Sequence, residues 1–250
     1  NISKSLFLGS ALMILATGCD IDEGFKGVVS PQAYYSSENG VESGINGLYA
    51  LYHDNTVGGN LFKDKLAGFM GADDMTTQDG GNKAPYREGD QFYHTGGNTL
   101  LGEVWENHYK AIHGCNEFIE NVDPALFTEE FYNHAIGNAR FLRAIQYFEL
   151  YLIFGDVPLI TTTEMDLGMS RNTMEEVLDQ VVEDLEFAKD WVINEERDTQ
   201  AGVAGRMING RASKTAAKAY LAKAHMALAG WPVKRDGQWE KVKEYTGEII

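Results

Sequence analysis

The stretch from Thr128 to Phe154 constrains this chain more than any other. Its apolar residues run through Arg140-Phe141-Leu142-Arg143-Ala144-Ile145-Gln146-Tyr147-Phe148 and cover much of a helical circumference instead of one stripe. That pattern predicts a helix packed on several sides, stopped by Gly155 with Pro158 close behind. Such a helix needs neighbours, and the chain offers them at three- and four-residue spacing. One follows Tyr34-Tyr35-Ser36-Ser37, with Val41, Ile45, Leu48 and Tyr52 on a face. A second runs from about Thr99 through Leu101, Trp105, His108, Ile112, Cys115, Ile119 and Val122, and ends at Asp123-Pro124. After the long helix, Thr173-Met174-Glu175-Glu176 forms a capping box, and Met174, Leu178, Val181, Leu185, Ala188 and Val192 make an unbroken face. An alanine-rich helix follows Ser213, suited to close helix–helix approach, and Gly230-Trp231-Pro232 closes it. A last helix begins at Trp239, presents Trp239, Val242 and Ile249, and is expected to run on to Ile250 without a C-cap. Paired antiparallel helices with small residues at their crossings predict an all-α fold of tetratricopeptide-like hairpins with long irregular loops. The consensus signature of that repeat is absent. The helical domain is placed at 38–250 and read as incomplete at its C-terminal end, the chain being a piece of a longer protein.

The N-terminal residues read as a targeting segment. A basic Lys4, the apolar run from Leu6 to Ala16 and small residues before Cys19 predict a signal peptide over 1–18. The run falls short of the ~20 apolar residues a membrane span needs. Ala16-Thr17-Gly18-Cys19 resembles a bacterial lipobox, whose cysteine is acylated, which makes Cys19 the expected lipid anchor and 19–37 an anchor and linker. A diacylglycerol plus an amide-linked chain would hold the protein on a membrane stably. An ordinary signal peptide with a chance cysteine is the other reading. Asp20, Asp22 and Glu23 resemble the surface-export signal of Bacteroidetes lipoproteins, and equally suit a solvated linker.

Charge narrows the partners. Lys and Arg number 21 against 37 Asp and Glu, a formal net charge of -16. With no basic stripe there is nothing to neutralise phosphates, so a nucleic-acid partner is not expected. A neutral ligand such as a sugar, or a protein, fits better. With Cys19 lipidated, Cys115 stands alone on an apolar stripe and reads as a small buried hydrophobe; a His113–Cys115 nucleophile is the sharper alternative.

Arg140 to Ala144 with Tyr147-Phe148-Glu149-Leu150, then Phe154-Gly155-Asp156-Val157-Pro158-Leu159, resembles the signature helix of the SusD/RagB family. Trp105, Tyr109, Ile112 and Asn116 resemble its preceding helix, Glu175-Glu176-Val177 with Asp184-Leu185 and Ala188 the following one, and Ala212 to Ala222 the alanine-rich helix after that. The resemblance implies a surface lipoprotein of the outer membrane that captures oligosaccharides or polysaccharides. It implies hand-over to a TonB-dependent (SusC-like) transporter, with helical hairpins facing the transporter and loops opposite holding the sugar.

The stretch His53 to Asn98 is where a ligand site is expected. It pairs glycines (Gly58-Gly59, Gly80-Gly81, Gly96-Gly97) with carboxylates, aromatics and an arginine. Aromatic faces stack on pyranose rings, while carboxylate, amide and guanidinium groups bind hydroxyl pairs. The candidate glycan-binding residues are Asp74, Tyr86, Arg87, Tyr93 and Asn98; the plainer reading has these aromatics pinning the loop to the core. Asp73-Asp74 does not match an EF-hand spacing, and no metal or cofactor is expected. Nor is catalysis: there is no Gly-x-Ser-x-Gly elbow, His-Glu-x-x-His helix or phosphate loop. The rival readings are a scaffold that binds only protein and, as an enzyme, an extracellular glycoside hydrolase.

Overall fold

The computed structural model describes residues 29–52, 71–74, 76–164, 166, 168–192 and 210–249. The signal peptide and Cys19 lie outside them, as does the His53 end of the expected ligand stretch. Pro31–Ile250 forms one compact unit. Its α-helices, in chain order, are α1 (Pro31–Tyr34), α2 (Glu38–Tyr52), α3 (Ala84–Asp90), α4 (Thr99–Asn121), α5 (Glu129–Phe154), α6 (Met174–Trp191), α7 (Lys214–Ala229) and α8 (Gln238–Gly247). Among the described residues there is no strand, only an isolated bridge between Val157 and Asn172. The helices pack as antiparallel neighbours in the tetratricopeptide-like manner.

Local chemistry sets where the four long helices after α3 begin. Asn98, Thr128, Thr173 and Ser213 each accept a hydrogen bond from the backbone N–H three residues on, at Leu101, Phe131, Glu176 and Ala216. Each satisfies a donor that the first turn leaves orphaned. At Thr173 the box closes reciprocally, because Glu176 accepts from the Thr173 N–H at 2.8 Å.

Helix α5 is the axis of the core. It lies between α4 and α6, with α2 against both α4 and α5, α7 on α6 and α8 on α7. Ala135, Ala139, Ala144, Tyr147 and Leu150 are wholly enclosed, as its all-round pattern requires. Cys115 is buried beneath it, and burial pushes its thiol up to about 12, while His113 is exposed. That arrangement removes the nucleophile reading and leaves a small hydrophobe. Gly114 permits the close crossing of α2 on α4, since a Cβ there would stand 2.7 Å from a Leu51 methyl.

Three expectations need correction. On α4 the buried face includes Leu100, Val104, Ala111 and Phe118, while Leu101, Trp105 and Ile119 are only half-buried. His108, Ile112, Cys115 and Val122 are buried as expected, and the stripe is broadened because α4 serves two neighbours, α2 and α5. On α8 the buried residue is Tyr245, not Trp239, and the helix closes at Gly247 with a cap at Glu248. Tyr245 stacks on His225 and its hydroxyl bonds Glu186, which turns that face of α8 inward. The stretch before Asn98 is not wholly irregular: a 3-10 turn at Gly81–Lys83 leads into α3. No helix among the described residues is long and apolar enough to cross a membrane.

Candidate functional site

Two constellations stand out, one holding the frame and one facing solvent. The first begins with a buried ion pair between α5 and α6. Arg143 donates from Nε and Nη2 to the two oxygens of Asp184, both at 2.8 Å. Its Nη1 donates to Asn116 Oδ1 at 2.8 Å and to the Thr161 carbonyl at 3.3 Å. Burial alone would lower the guanidinium's pKa, but the bonds and charge of Asp184 outweigh it and hold it up. The bidentate pairing explains how two charges tolerate the core.

Around this pair the chain after α5 is stitched down as a strap. Gly155 turns it at φ 72°, ψ -112°, a region where a side chain is strained. The Tyr147 hydroxyl donates to the Ile160 carbonyl at 2.9 Å and accepts from the Ile160 N–H at 2.7 Å. Tyr109 donates to the Pro158 carbonyl at 2.8 Å, and Asn116 Nδ2 to the carbonyls of Ile160 and Thr162 at 2.8 and 3.0 Å. Asp156 accepts from the Met174 N–H at 2.9 Å. Desolvation raises the Tyr147 and Tyr109 hydroxyl pKa values well above the usual tyrosine range, so both remain protonated donors. The residues that carry the family resemblance therefore tie α4, α5 and α6 together through one strap.

The second constellation contains the candidate ligand residues. Tyr86 and Arg87 lie on α3, half-buried, with the Lys83 ammonium 5.4 Å from the Tyr86 ring centroid. Arg87 donates to the carbonyls of Gly80 (2.8 Å) and Gln78 (3.3 Å). Asn98 is buried and donates to the Pro85 carbonyl and to Glu88 Oε2, both at 2.9 Å, while its oxygen caps α4. Both amide hydrogens are therefore engaged inside the protein, and Asn98 serves as a joint between α3 and α4. Glu88, which sequence reasoning passed over, is the hub of that joint. The Asn98 amide and then the Thr95 N–H hold its carboxyl below the usual range. Tyr93 is 49% exposed and Phe92 is 78% exposed with φ 55°. Asp74 sits exposed in the turn upstream. The structure thus gathers Tyr86, Arg87, Tyr93 and Asn98 around one short helix, with Arg87 and Asn98 shaping it and Tyr93 open to solvent. Among the described residues no cluster of three His, Cys, Asp or Glu side chains is placed to hold a metal.

This geometry matches known proteins over most of its length. A SusD-like family model described as "Starch-binding associating with outer membrane" matches residues 28–226. SusD-like protein P2 of Formosa agariphila is 27% identical over 244 residues, covering 96% of this chain and 44% of its own length. A SusD-like protein of Bacteroides ovatus is 28% identical over 158 residues, covering 60% of this chain and 27% of its own length. Among solved structures, a SusD homolog from Bacteroides thetaiotaomicron superposes with a TM-score of 0.73 at 23% identity, over 88% of this chain and 41% of that one. A laminarin binding SusD-like protein gives 0.66 at 18% identity, over 84% and 43%. The chain therefore spans less than half the length of the relatives it matches. Because the family match covers well over half of the sequence, and the strap is built from the residues carrying that pattern, the chain belongs to the SusD-like family.

Proposed function

We propose that this protein is a non-enzymatic, lipid-anchored outer-membrane glycan receptor that binds oligosaccharides or polysaccharides at the cell surface and passes them to a TonB-dependent transporter. The observation that carries the reading is the pairing of a SusD-like frame with an open, aromatic and carboxylate-bearing knot at residues 71–98. A pyranose offers a C–H face for stacking and hydroxyls for hydrogen bonds; Tyr93 and Tyr86 supply rings, and Asp74 an acceptor, while Arg87, Glu88 and Asn98 fix the backbone that presents them. The laminarin and starch named for relatives motivate the probes.

The test is affinity electrophoresis of the intact protein in gels containing laminarin or soluble starch. Tyr93→Ala is expected to weaken retardation by about two- to tenfold, the value of one stacked ring. Wild-type retardation in both gels would move the ligand site away from this knot. A second reading, a helical scaffold that binds only protein, is favoured by one observation: Arg87 and Asn98 are committed to internal hydrogen bonds. Under that reading the protein co-purifies with a transporter and is retarded by no glycan.

A further inference from the structure

The turn between α7 and α8 displays an indole that the core does not use. Trp231 is 79% exposed, and Trp239 in the first turn of α8 is 58% exposed. The turn that carries Trp231 is nonetheless firmly held. Lys234 N–H donates to the Gly230 carbonyl and Arg235 N–H to the Leu228 carbonyl, both at 2.8 Å. The Arg235 side chain reaches across to α6, where it donates to both oxygens of Asp179 at 2.6 and 2.8 Å and to Glu175 at 2.9 Å. Lys234 adopts the left-handed region at φ 55°, a conformation unfavourable for a residue with a side chain. Its ammonium lies 4.6 Å from the Trp231 ring centroid, at the distance of a cation–π contact. The result, among the described residues, is a fixed indole with one face backed by a cation and most of its surface exposed.

We propose that Trp231, backed by Lys234, is a second glycan-stacking subsite, distinct from residues 71–98, which takes one pyranose ring of a neutral oligosaccharide or polysaccharide. Scale decides between a sugar and a protein as the occupant. A stable protein interface covers roughly 800 Å² on each side around an apolar centre, whereas one indole offers about 150–250 Å², the footprint of a single sugar ring. Between Trp231 and Trp239 the polar residues Lys234, Arg235, Asp236 and Gln238 alternate with Pro232, Val233 and Gly237, so the two exposed indoles are separated by charged and polar side chains. Asp236 is exposed and can accept from a sugar hydroxyl, while Arg235 and Gln238 are already bonded within the protein. A single stacked ring binds weakly, so this subsite acts on chains also held elsewhere on the protein, by raising their effective concentration.

N-bromosuccinimide oxidation of the intact protein, read by mass spectrometry of the Trp231 peptide, tests this with soluble laminarin and soluble starch added separately. At least one polysaccharide is expected to protect Trp231. Trp231→Ala is expected to lose about two- to tenfold in gel retardation, with unchanged thermal unfolding because the ring is outside the core. Trp231→Phe, which keeps a flat ring, retains most of the retardation. Equal oxidation of Trp231 with and without both polysaccharides overturns the proposal. So does protection that appears only when a partner protein is added, which assigns the ring to a protein interface. The subsite stands apart from the knot: protection of Trp231 alongside wild-type retardation of Tyr93→Ala leaves it intact and removes only the 71–98 reading.

Discussion

At the scale of the residue, Arg143 shows how a charged side chain comes to lie at the centre of an apolar helix. Its four hydrogen bonds are divided between Asp184, Asn116 and the strap, so the charge is not left bare. Removing one partner strands the other. Arg143→Met is therefore expected to destabilise the protein by about 3–5 kcal/mol, seen as a large fall in the midpoint of urea unfolding by circular dichroism; a loss below about 1 kcal/mol would show that the pair is dispensable. Both residues were visible in the sequence, and Asp184 even occupies an inward position, between Val181 and Ala188 on the α6 face. Their pairing was not, because it joins residues 41 apart and periodicity reports faces, not partners.

The elements were legible wherever a long face met a cap. The starts at Thr128, Thr173 and Ser213 follow from side chains that can accept from the first turn, and α5 and α6 lie where their periodicity places them. Legibility failed where one helix meets two neighbours. The stripe on α4 is broadened by α2 and α5, so choosing Leu101 and Trp105 over Leu100 and Val104 misplaced its edge. It failed again on α8, where stacking of Tyr245 on His225 outweighed the apolar appeal of Trp239. In the candidate knot, aromatic and amide composition indicated a polar ring-bearing segment, but which groups remain open depends on α3, and Glu88 gave no sign of its role. The joint at Gly155 belongs to this scale too. A Cβ there would stand 2.7 Å from the Met174 methyl, on a backbone at positive φ. Gly155→Ala is expected to cost more than about 1 kcal/mol, measured as a lowered melting temperature; an unchanged melt would mean that the strap can turn another way.

At the scale of the whole molecule, the net charge of -16 and the ion pairs that occupy Arg143, Arg211, Arg235, Lys189, Lys218 and Lys241 favour a neutral ligand over an anionic one. The lipobox-like sequence at Cys19 makes its own prediction. Cys19→Ala is expected to abolish palmitate labelling and release the protein from the membrane fraction, and retained label would defeat the anchor. The strap has a different consequence, for the order in which the molecule comes apart. Stacked helical hairpins ordinarily open one neighbour at a time, like a row of dominoes. Here residues 156–163 stitch α4, α5 and α6 into one cooperative block, since parting any two of them breaks bonds held by the third. Opening must then begin outside that block, which makes α4, α5 and α6 the last helices to part.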